Sequence, residues 1–106
     1  MKFGEAIEAM KLGGRCRRRG WNGQGMAVSI EKGELDAAAR GFRPGEWIQY
    51  PHGSLQDGVD FGLFRPEMVG PAVTMPFFFM RTASGATVTG WLASQIDMLA
   101  EDWEMV

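Results

Sequence analysis

Four consecutive apolar residues, Phe77 to Met80, restrict most strongly how this chain can fold. Successive side chains of a β-strand point to opposite faces, so such a run needs apolar surroundings on both sides of the sheet. It therefore predicts either a central strand or a strand covered by another subunit. The glycine-containing segment 83–85 is typical of a tight hairpin turn, and residues 86–91 predict the returning strand.

Two short helices are predicted, one near each end of the sequence. Residues 4–12 carry apolar side chains at helical spacing, and two glycines directly afterwards supply a stop. Near the other end, Ser94 is followed three residues later by Asp97 and then by an apolar run, which is a capping-box pattern. This pattern predicts a helix of about two turns. A short final strand over residues 102–106 is predicted to follow it.

An arginine-rich segment follows the first helix and suits an extended strand. Alternation would place Arg15, Arg17 and Arg19 on one face of that strand. Cys16 and Arg18 would then face the other way, with Cys16 as a small buried residue.

The middle of the chain, residues 31–74, is punctuated by glycines and prolines, and only residues 47–50 predict a strand within it. It is too long for one structureless connection, so we interpret it as a loop-rich insertion with short pairing segments. A turn at 20–23 and a strand at 26–30 precede it. Together these patterns predict an α+β fold, with a small antiparallel β-sheet and two short helices in a single domain over residues 1–106.

The formal net charge of −2 hides an uneven distribution of charged residues. Residues 1–43 carry nine Lys or Arg against five Asp or Glu, a balance of +4. Residues 44–106 carry two against eight, a balance of −6. The asymmetry would suit an anionic ligand near the first half, but mutual neutralisation across the fold or between subunits is the simpler explanation.

Several classes of protein are disfavoured by composition. The single Cys16 excludes an internal disulfide, and the single His52 leaves no recognisable set of zinc ligands. No run is long and apolar enough to cross a bilayer, and the first residues lack the apolar stretch of a signal peptide. We therefore expect a cytoplasmic protein without a metal or a cofactor.

Two groups of residues suggest binding chemistry, and each has an ordinary structural alternative. Arginine forks match phosphate oxygens, so the arginine segment would clamp a diphosphate or, alternatively, pair with the acidic second half. Trp21 and Trp91 each lie beside a glycine at the end of a predicted strand. An indole at such a position either stacks on a base or packs into the core. The residues alone leave both alternatives open.

The acidic residues near the end of the sequence suggest catalysis only weakly. Asp97 and Glu101 would share one helix face, and with Asp102 they would offer an acid–base pair. No nucleophile or metal set accompanies them, so a hydrolase is the less favoured alternative. A nucleic-acid-binding module built on Arg15–Arg19 and Trp21 is less favoured still, because the chain as a whole is acidic.

Three pieces of the chain carry a family resemblance. They are FGEAIEAMKLGGRCRRRGWNGQGM, MRTASGATVTGWLASQIDML and AEDWEMV, which together fall within residues 3–30 and 75–106. Their ordered motifs resemble the small phage-encoded Thoeris anti-defence proteins of the second type. Gly90 stands where that pattern has proline, and Ile96 where it has threonine. The middle of the chain carries no resemblance of this kind.

The resemblance implies a sponge rather than a catalyst. Proteins of that family assemble as homotetramers and sequester cyclic nucleotide signals made by bacterial defence enzymes, namely glycocyclic ADP-ribose isomers. Some members also take up cyclic dinucleotides at a separate site. The captured signal no longer activates its effector in the cytoplasm of the infected bacterial host.

A ligand of this kind carries a diphosphate, two riboses and a purine. Such groups call for guanidinium donors, polar side chains and an aromatic face. From the positions of the matching motifs, the resemblance implies a ligand-binding set. Its members are Arg17, Arg19, Trp21, Asn22, Trp91, Ser94, Gln95 and Asp97. The expected tetramer, with which the apolar Phe77–Met80 strand is consistent, leads us to predict that this set lies at or close to a subunit interface.

Overall fold

The computed structural model describes residues 1–21, 25–34, 55–56, 58–65 and 74–106. The chain divides into two compact units. The first combines Met1–Ile30 with Phe77–Val106, and the second is Glu31–Pro76. The predicted insertion falls within the bounds of the second unit, and the number of domains stays a prediction.

Two helices and a five-stranded sheet characterise the first unit. In chain order, the described elements are α1 (Phe3–Lys11), β1 (Cys16–Arg18), β2 (Ala27–Glu31), β3 (Leu55–Gln56), β4 (Val59–Asp60), a 3-10 turn (Phe61–Leu63), β5 (Phe77–Arg81), β6 (Thr87–Thr89), α2 (Gln95–Leu99) and β7 (Trp103–Met105). The five strands lie in the order β6-β5-β2-β1-β7, and β3 pairs separately with β4. The pairings of β5 with β6 and of β1 with both β2 and β7 are antiparallel. The predicted α+β class with a small antiparallel sheet is confirmed.

Strand β5 contains the apolar run and is an internal strand of the sheet, because it lies between β6 and β2. Its residues 77–80 are all half-buried. The hairpin turn after it is closed by a hydrogen bond from the Thr82 N–H to the Ala86 carbonyl at 2.8 Å. The returning strand β6 is shorter than predicted, since Gly90 adopts a φ of 82° directly after it.

Helix α1 begins and ends at local sequence signals. The backbone N–H of Lys2 donates to Glu5 Oε1 at 2.9 Å, which ties down the first turn. At the other end, the N–H of Gly13 donates to the Met10 carbonyl, and Gly13 adopts a φ of 94°. The predicted helix, residues 4–12, therefore differs from the observed one by a single residue at each end.

The core of the first unit lies where α1 packs against β1 and β7. Its fully buried members are Ala6, Met10, Cys16, Val28 and Trp103. The thiol of Cys16 lies 3.7 Å from the Ala6 carbonyl oxygen. Burial raises the pKa of the Cys16 thiol, so this residue is the inert, buried strand residue that alternation predicted.

In the second unit, Gly33 connects segments that are distant in the sequence. Its N–H donates to the Leu63 carbonyl at 2.9 Å, and its carbonyl accepts from the Arg65 N–H at 2.8 Å. The next residue, Glu34, exchanges two backbone hydrogen bonds with Thr74, each of 2.8 Å. A side chain at Gly33 would collide with the Thr74 carbonyl oxygen, so this close approach of backbones requires glycine.

No helix within the described part of the chain is long and apolar enough to cross a membrane. The predicted strand at 47–50 and the isolated His52 lie outside the described residues.

Candidate functional site

Three charged residues, Arg18, Asp97 and Asp102, form a partly buried ion-pair group that we call the Arg18 cluster. Arg18 Nε donates to Asp102 Oδ1 at 2.9 Å, and Arg18 Nη1 donates to Asp97 Oδ1 at 3.0 Å. The side chains of Arg18, Asp97 and Asp102 are only 19%, 15% and 33% exposed. Two carboxylates against one guanidinium leave the cluster with one net negative charge, and its partial burial limits the screening of that charge by salt.

The Arg18 cluster favours the charged form of each of its members. The hydrogen bond from Arg18 is the main cause that lowers the pKa of Asp102. Burial opposes the ionisation of Asp97, but hydrogen bonds from Arg18 and Ser94 outweigh it and lower the pKa of that carboxyl as well. The hydrogen bond to Asp102, and then that to Asp97, raise the pKa of Arg18. All three groups are therefore charged at neutral pH.

Trp21, Trp91 and Trp103 pack edge to face beside these charges, and we call them the tryptophan cluster. The ring centroids of Trp21 and Trp103 lie 5.3 Å apart, and the other two pairs lie 6.3 Å apart. Trp103 is only 1% exposed, and its indole N–H donates to the Asp97 carbonyl at 2.9 Å. Trp21 and Trp91 also pack against the core, yet each keeps part of its surface exposed. Core packing and an aromatic wall for a ligand are thus compatible roles for these two rings.

On the other face of β1, two of the predicted ligand-binding arginines share one acidic partner. Arg17 Nε donates to Glu104 Oε1 at 3.0 Å, and Arg19 Nε lies 3.7 Å from Glu104 Oε2. The Arg17 side chain is 40% exposed and that of Arg19 is 77% exposed. The acidic end of the sequence therefore does pair with the arginine segment. One carboxylate cannot neutralise two guanidinium groups, so positive charge remains on this face, most accessibly at Arg19.

The polar residues at the start of α2 are partly engaged with one another. The Asp97 N–H donates to Ser94 Oγ at 3.0 Å, and the Ser94 N–H donates to Asp97 Oδ2 at 3.2 Å. The capping box predicted from the sequence is confirmed. Gln95, the first residue of α2, is exposed, whereas Asn22 lies outside the described residues. Among Ser94, Gln95 and Asp97, Gln95 is thus the residue whose side chain takes no part in the capping box.

Helix α2 and the segment directly before it turn apolar side chains to the solvent. Leu92, Ile96 and Leu99 are 89%, 72% and 82% exposed, and no residue of α2 is buried. Ile96 and Leu99 are three positions apart and so lie on the same side of the helix. A helix this short has little stability of its own, so contacts outside the helix must hold it in place.

Arg18 is absent from the predicted ligand-binding set, although it is the most sheltered arginine of the segment. Alternation correctly placed it with Cys16 on the inward face of β1. An arginine on the inward face requires carboxylate partners, so the alternation pattern could have indicated that Arg18 forms ion pairs. The identity of the partners was not readable, because it depends on the β1–β7 pairing and on the position of α2.

The chain has similarity to known proteins along its whole length. The model of the Thoeris anti-defense 2-like domain matches residues 1–106. "Thoeris anti-defense 2" of Bacillus phage SP01 is 33% identical over 106 residues, which cover 100% of this chain and 94% of that protein. The resemblance inferred from three motifs is therefore confirmed. The match also includes the middle of the chain, where the motifs gave no resemblance.

Proposed function

The chain belongs to the Thoeris anti-defense 2-like family, and on that premise we propose that it is a sponge that sequesters a cyclic nucleotide immune signal without converting it. The proposed ligands are glycocyclic ADP-ribose isomers, with cyclic dinucleotides as a second class. Sequestration would take place in the cytoplasm of the infected bacterium and would block its anti-phage defence. The full-length family match is the observation that carries this proposal.

The tryptophan cluster supports the proposal because it supplies an aromatic surface for a purine. Trp21 and Trp91 are held edge to face at 6.3 Å and keep part of their surfaces exposed. Rings that are already fixed lose little conformational entropy when they stack on a base. We assign the purine to these two rings.

The diphosphate is assigned to the surplus of positive charge at Arg17 and Arg19. These arginines lie on the face of β1 opposite to Arg18 and Trp103, so in the proposed homotetramer they would reach the ligand from a second subunit. Glu104 neutralises only part of this pair, and Arg19 remains 77% exposed. In the proposed site Asn22 and Gln95 read polar groups of the ligand, with Gln95 on a ribose. The carboxylate of Asp97 and the hydroxyl of Ser94 retain acceptor capacity for ribose hydroxyl groups, although each already makes internal hydrogen bonds.

The chemistry of the Arg18 cluster favours sequestration over hydrolysis. A general acid at neutral pH needs a raised pKa, but the pKa values of Asp97 and Asp102 are both lowered. Their ion pairs with Arg18 also occupy the oxygens that would have to exchange protons. The hydrolase alternative, with Asp97, Glu101 and Asp102, is therefore the weaker of the two.

Charge pairing likewise weighs against a nucleic-acid-binding role for the arginine segment. Arg17 and Arg18 are both engaged by carboxylates of the acidic end of the sequence. A protein that follows a phosphate backbone presents unpaired cations in a continuous track.

Helix α2 supports the proposed homotetramer, in which the ligand site lies at or near a subunit interface. Leu92, Ile96 and Leu99 together expose an apolar surface that would be covered by a second copy of the chain. Light scattering should give a tetramer mass for the wild type, and the double variant Leu92→Gln/Leu99→Gln should shift it towards smaller species. Val88→Thr, at a 43% exposed position on β6, is the matched control and should leave the mass unchanged.

The proposed function is tested by isothermal titration with glycocyclic ADP-ribose isomers, linear ADP-ribose, cyclic dinucleotides and a short oligonucleotide. Each complex is then heat-denatured, and the released nucleotide is identified by mass spectrometry. We expect tight binding of a cyclic species and its recovery intact. Recovery of a cleaved product would support the hydrolase, and binding of none of the nucleotides would overturn the sponge.

The residue assignments are tested in the same titration. Replacing a stacking tryptophan, as in Trp91→Ala, should weaken binding by roughly 10- to 100-fold, the range expected for the loss of one base–aromatic contact. Arg19→Ala should weaken it less, because its charge is largely solvated. Arg81→Ala, at an exposed arginine at the end of β5, should bind like the wild type.

A further inference from the structure

We propose that Arg18 is a positioning residue that fixes the Trp21 and Trp91 rings by joining Asp97 to Asp102, and that it does not contact the ligand. The predicted effect of Arg18 on ligand affinity rests on the proposed sponge function. The arrangement of the two rings is a property of the protein alone and can be measured without any nucleotide.

The first step is the bridge that Arg18 forms between two separate segments. Its Nε bonds to Asp102, which directly precedes β7, and its Nη1 bonds to Asp97 on α2. The planar guanidinium holds its donors at fixed angles, so one side chain sets the distance between both carboxylates. A lysine would carry the same charge but would offer only a single nitrogen to the two acceptors.

Asp102 in turn bonds to the turn that presents Trp21. The second oxygen of Asp102, Oδ2, accepts the backbone N–H of Gly20 at 3.2 Å. The next backbone N–H, that of Trp21, donates to the Arg18 carbonyl at 3.2 Å. The turn that presents Trp21 is thus closed through both the side chain and the backbone of Arg18.

Asp97 is connected to the rings of Trp103 and Trp91. The backbone carbonyl of Asp97 accepts the indole N–H of Trp103, and its carboxylate accepts the backbone N–H of Ser94. Trp91 lies three residues before Ser94 and is held at its own backbone by the Phe78 carbonyl at 3.0 Å. Trp103 contacts both Trp21 and Trp91 edge to face, so a shift of Asp97 would be transmitted to all three rings.

The electrostatics of the cluster argue against a direct ligand role for Arg18. The side chain is only 19% exposed, and its two carboxylate partners leave a net negative charge around it. An approaching diphosphate would meet this negative charge before it reached the guanidinium. Arg18 therefore acts on the site through the rings.

The experiment compares indole N–H signals in ¹⁵N NMR spectra of ligand-free protein, assigned through single Trp→Phe variants of the four tryptophans. Arg18→Gln should shift the Trp21, Trp91 and Trp103 signals and weaken binding of glycocyclic ADP-ribose by about tenfold or more. Arg18→Lys should give a partial effect. Arg81→Gln, which removes the same charge at an exposed site, should leave spectra and affinity as in the wild type.

A double variant separates geometry from charge. Arg18→Gln alone changes the net charge of the cluster from −1 to −2, whereas Arg18→Gln/Asp102→Asn restores −1 without the bridge and leaves the proposed ligand-binding residues in place. If positioning is the cause, the double variant should remain defective in both readouts. Recovery of wild-type signals and affinity would mean that net charge, and not the bridge, is decisive, which would overturn the proposal.

The remaining outcomes are also decisive. Unchanged indole signals in a folded Arg18→Gln protein would overturn the positioning role of Arg18. If the same protein also lost ligand binding, Arg18 would be identified as a direct ligand contact. Shifted signals with full affinity would overturn the link to the ligand site. If Arg18→Gln does not fold, Arg18→Lys and Asp102→Asn serve the same comparison. If the wild type binds no nucleotide, the sponge fails, while the ligand-free spectra still test the positioning.

Discussion

The two helices of the first unit are both short, but they are held in place by opposite means. Helix α1 buries Ala6 and Met10 against the sheet and belongs to the core. Helix α2 buries no residue and exposes Ile96 and Leu99 at 72% and 82%. What anchors α2 is polar, namely the Ser94 cap, the Arg18 ion pair and the indole of Trp103.

This difference shows that the free energy that stabilises the fold and the contacts that fix the position of a helix come from different interactions. Removing apolar surface from water stabilises α1 strongly but without directional preference. Hydrogen bonds and ion pairs contribute less net free energy, yet they fix the position of α2 and of the residues around it. We conclude that α1 supplies stability to the fold, whereas polar contacts fix the position of α2 and its apolar side chains stay exposed.

The largest effect should come from removing the side chain of Met10. Met10→Ala should lower the free energy of unfolding by about 2–5 kcal/mol, because it leaves a cavity beneath α1. Met98→Ala is the matched change on α2, where the side chain is 47% exposed, and should cost less than about 1 kcal/mol. Urea denaturation of both variants measures the difference. Equal losses would show that α2 is also a core helix.

Acid should weaken the anchoring of α2 by a smaller amount. The pKa values of Asp97 and Asp102 are lowered in the folded protein, so the unfolded chain takes up protons first as the pH falls. This stabilisation is complete above the unfolded-state value of about 4 and is lost as the pH falls through the lower folded-state values. We expect the Asp97 contribution to be on the order of 1–2 kcal/mol, allowing for the solvent at the cluster's edge.

Urea denaturation between neutral pH and pH 2.5 would measure this acid effect. Asp97→Asn should lose less stability in acid than the wild type, because part of the titration has been removed. Glu8→Gln, an exposed change on α1, should keep the wild-type pH dependence. Identical pH dependence in all three proteins would contradict the polar anchoring of α2.

The cap of α2 should contribute a comparable or smaller amount. Ser94→Ala should lower the free energy of unfolding by about 1 kcal/mol, since the Asp97 N–H loses its acceptor. Ser94→Thr keeps a hydroxyl at the same position and should recover most of that loss. Hydrogen exchange of the α2 amides would locate the effect, and a loss spread evenly over α1 and α2 would contradict it.

The smallest effect on the fold itself should come from the exposed side of α2. Leu99→Gln should change the stability of dilute protein by no more than about 0.5 kcal/mol. If subunits associate through α2, the stability of the wild type should rise with protein concentration, and that of Leu99→Gln should rise less. Thermal unfolding over a range of protein concentrations distinguishes an effect on the fold of the subunit from an effect on subunit association. A large loss in dilute protein would place Leu99 in the core of the subunit.

The predicted elements that depend on local signals agree with the structure. The Gly13 stop, the Ser94–Asp97 capping box and the hairpin turn at 83–85 each need only residues within a few positions of one another. The internal position of β5 is one of the two outcomes that its four consecutive apolar residues predicted, the other being a strand covered by another subunit. The middle of the sequence gave no comparable local signal. The role of Gly33 there depends on residues 63–65 and 74, far along the chain.

The candidate site was only partly predictable. The family motifs selected Trp21 and Trp91, and the structure brings these rings together around Trp103. They did not select Arg18, whose partners are separated from it by 79 and 84 residues. Proximity in the folded chain, and not any spacing in the sequence, makes these charges a unit.

The sequence by itself therefore determined the α+β class, the ends of α1 to within one residue, the cap of α2 and the family, because each of these depends on short-range patterns or on whole-chain similarity. Only the tertiary structure decided which arginine is sheltered, which carboxylates accept from it and which rings meet. The β1–β7 register places Arg18 beside Trp103, and α2 then brings Asp97 within 3.0 Å of Arg18. Ion pairing acts over a few ångströms, so its partners are determined by the folded path of the chain and cannot be read from the order of its residues.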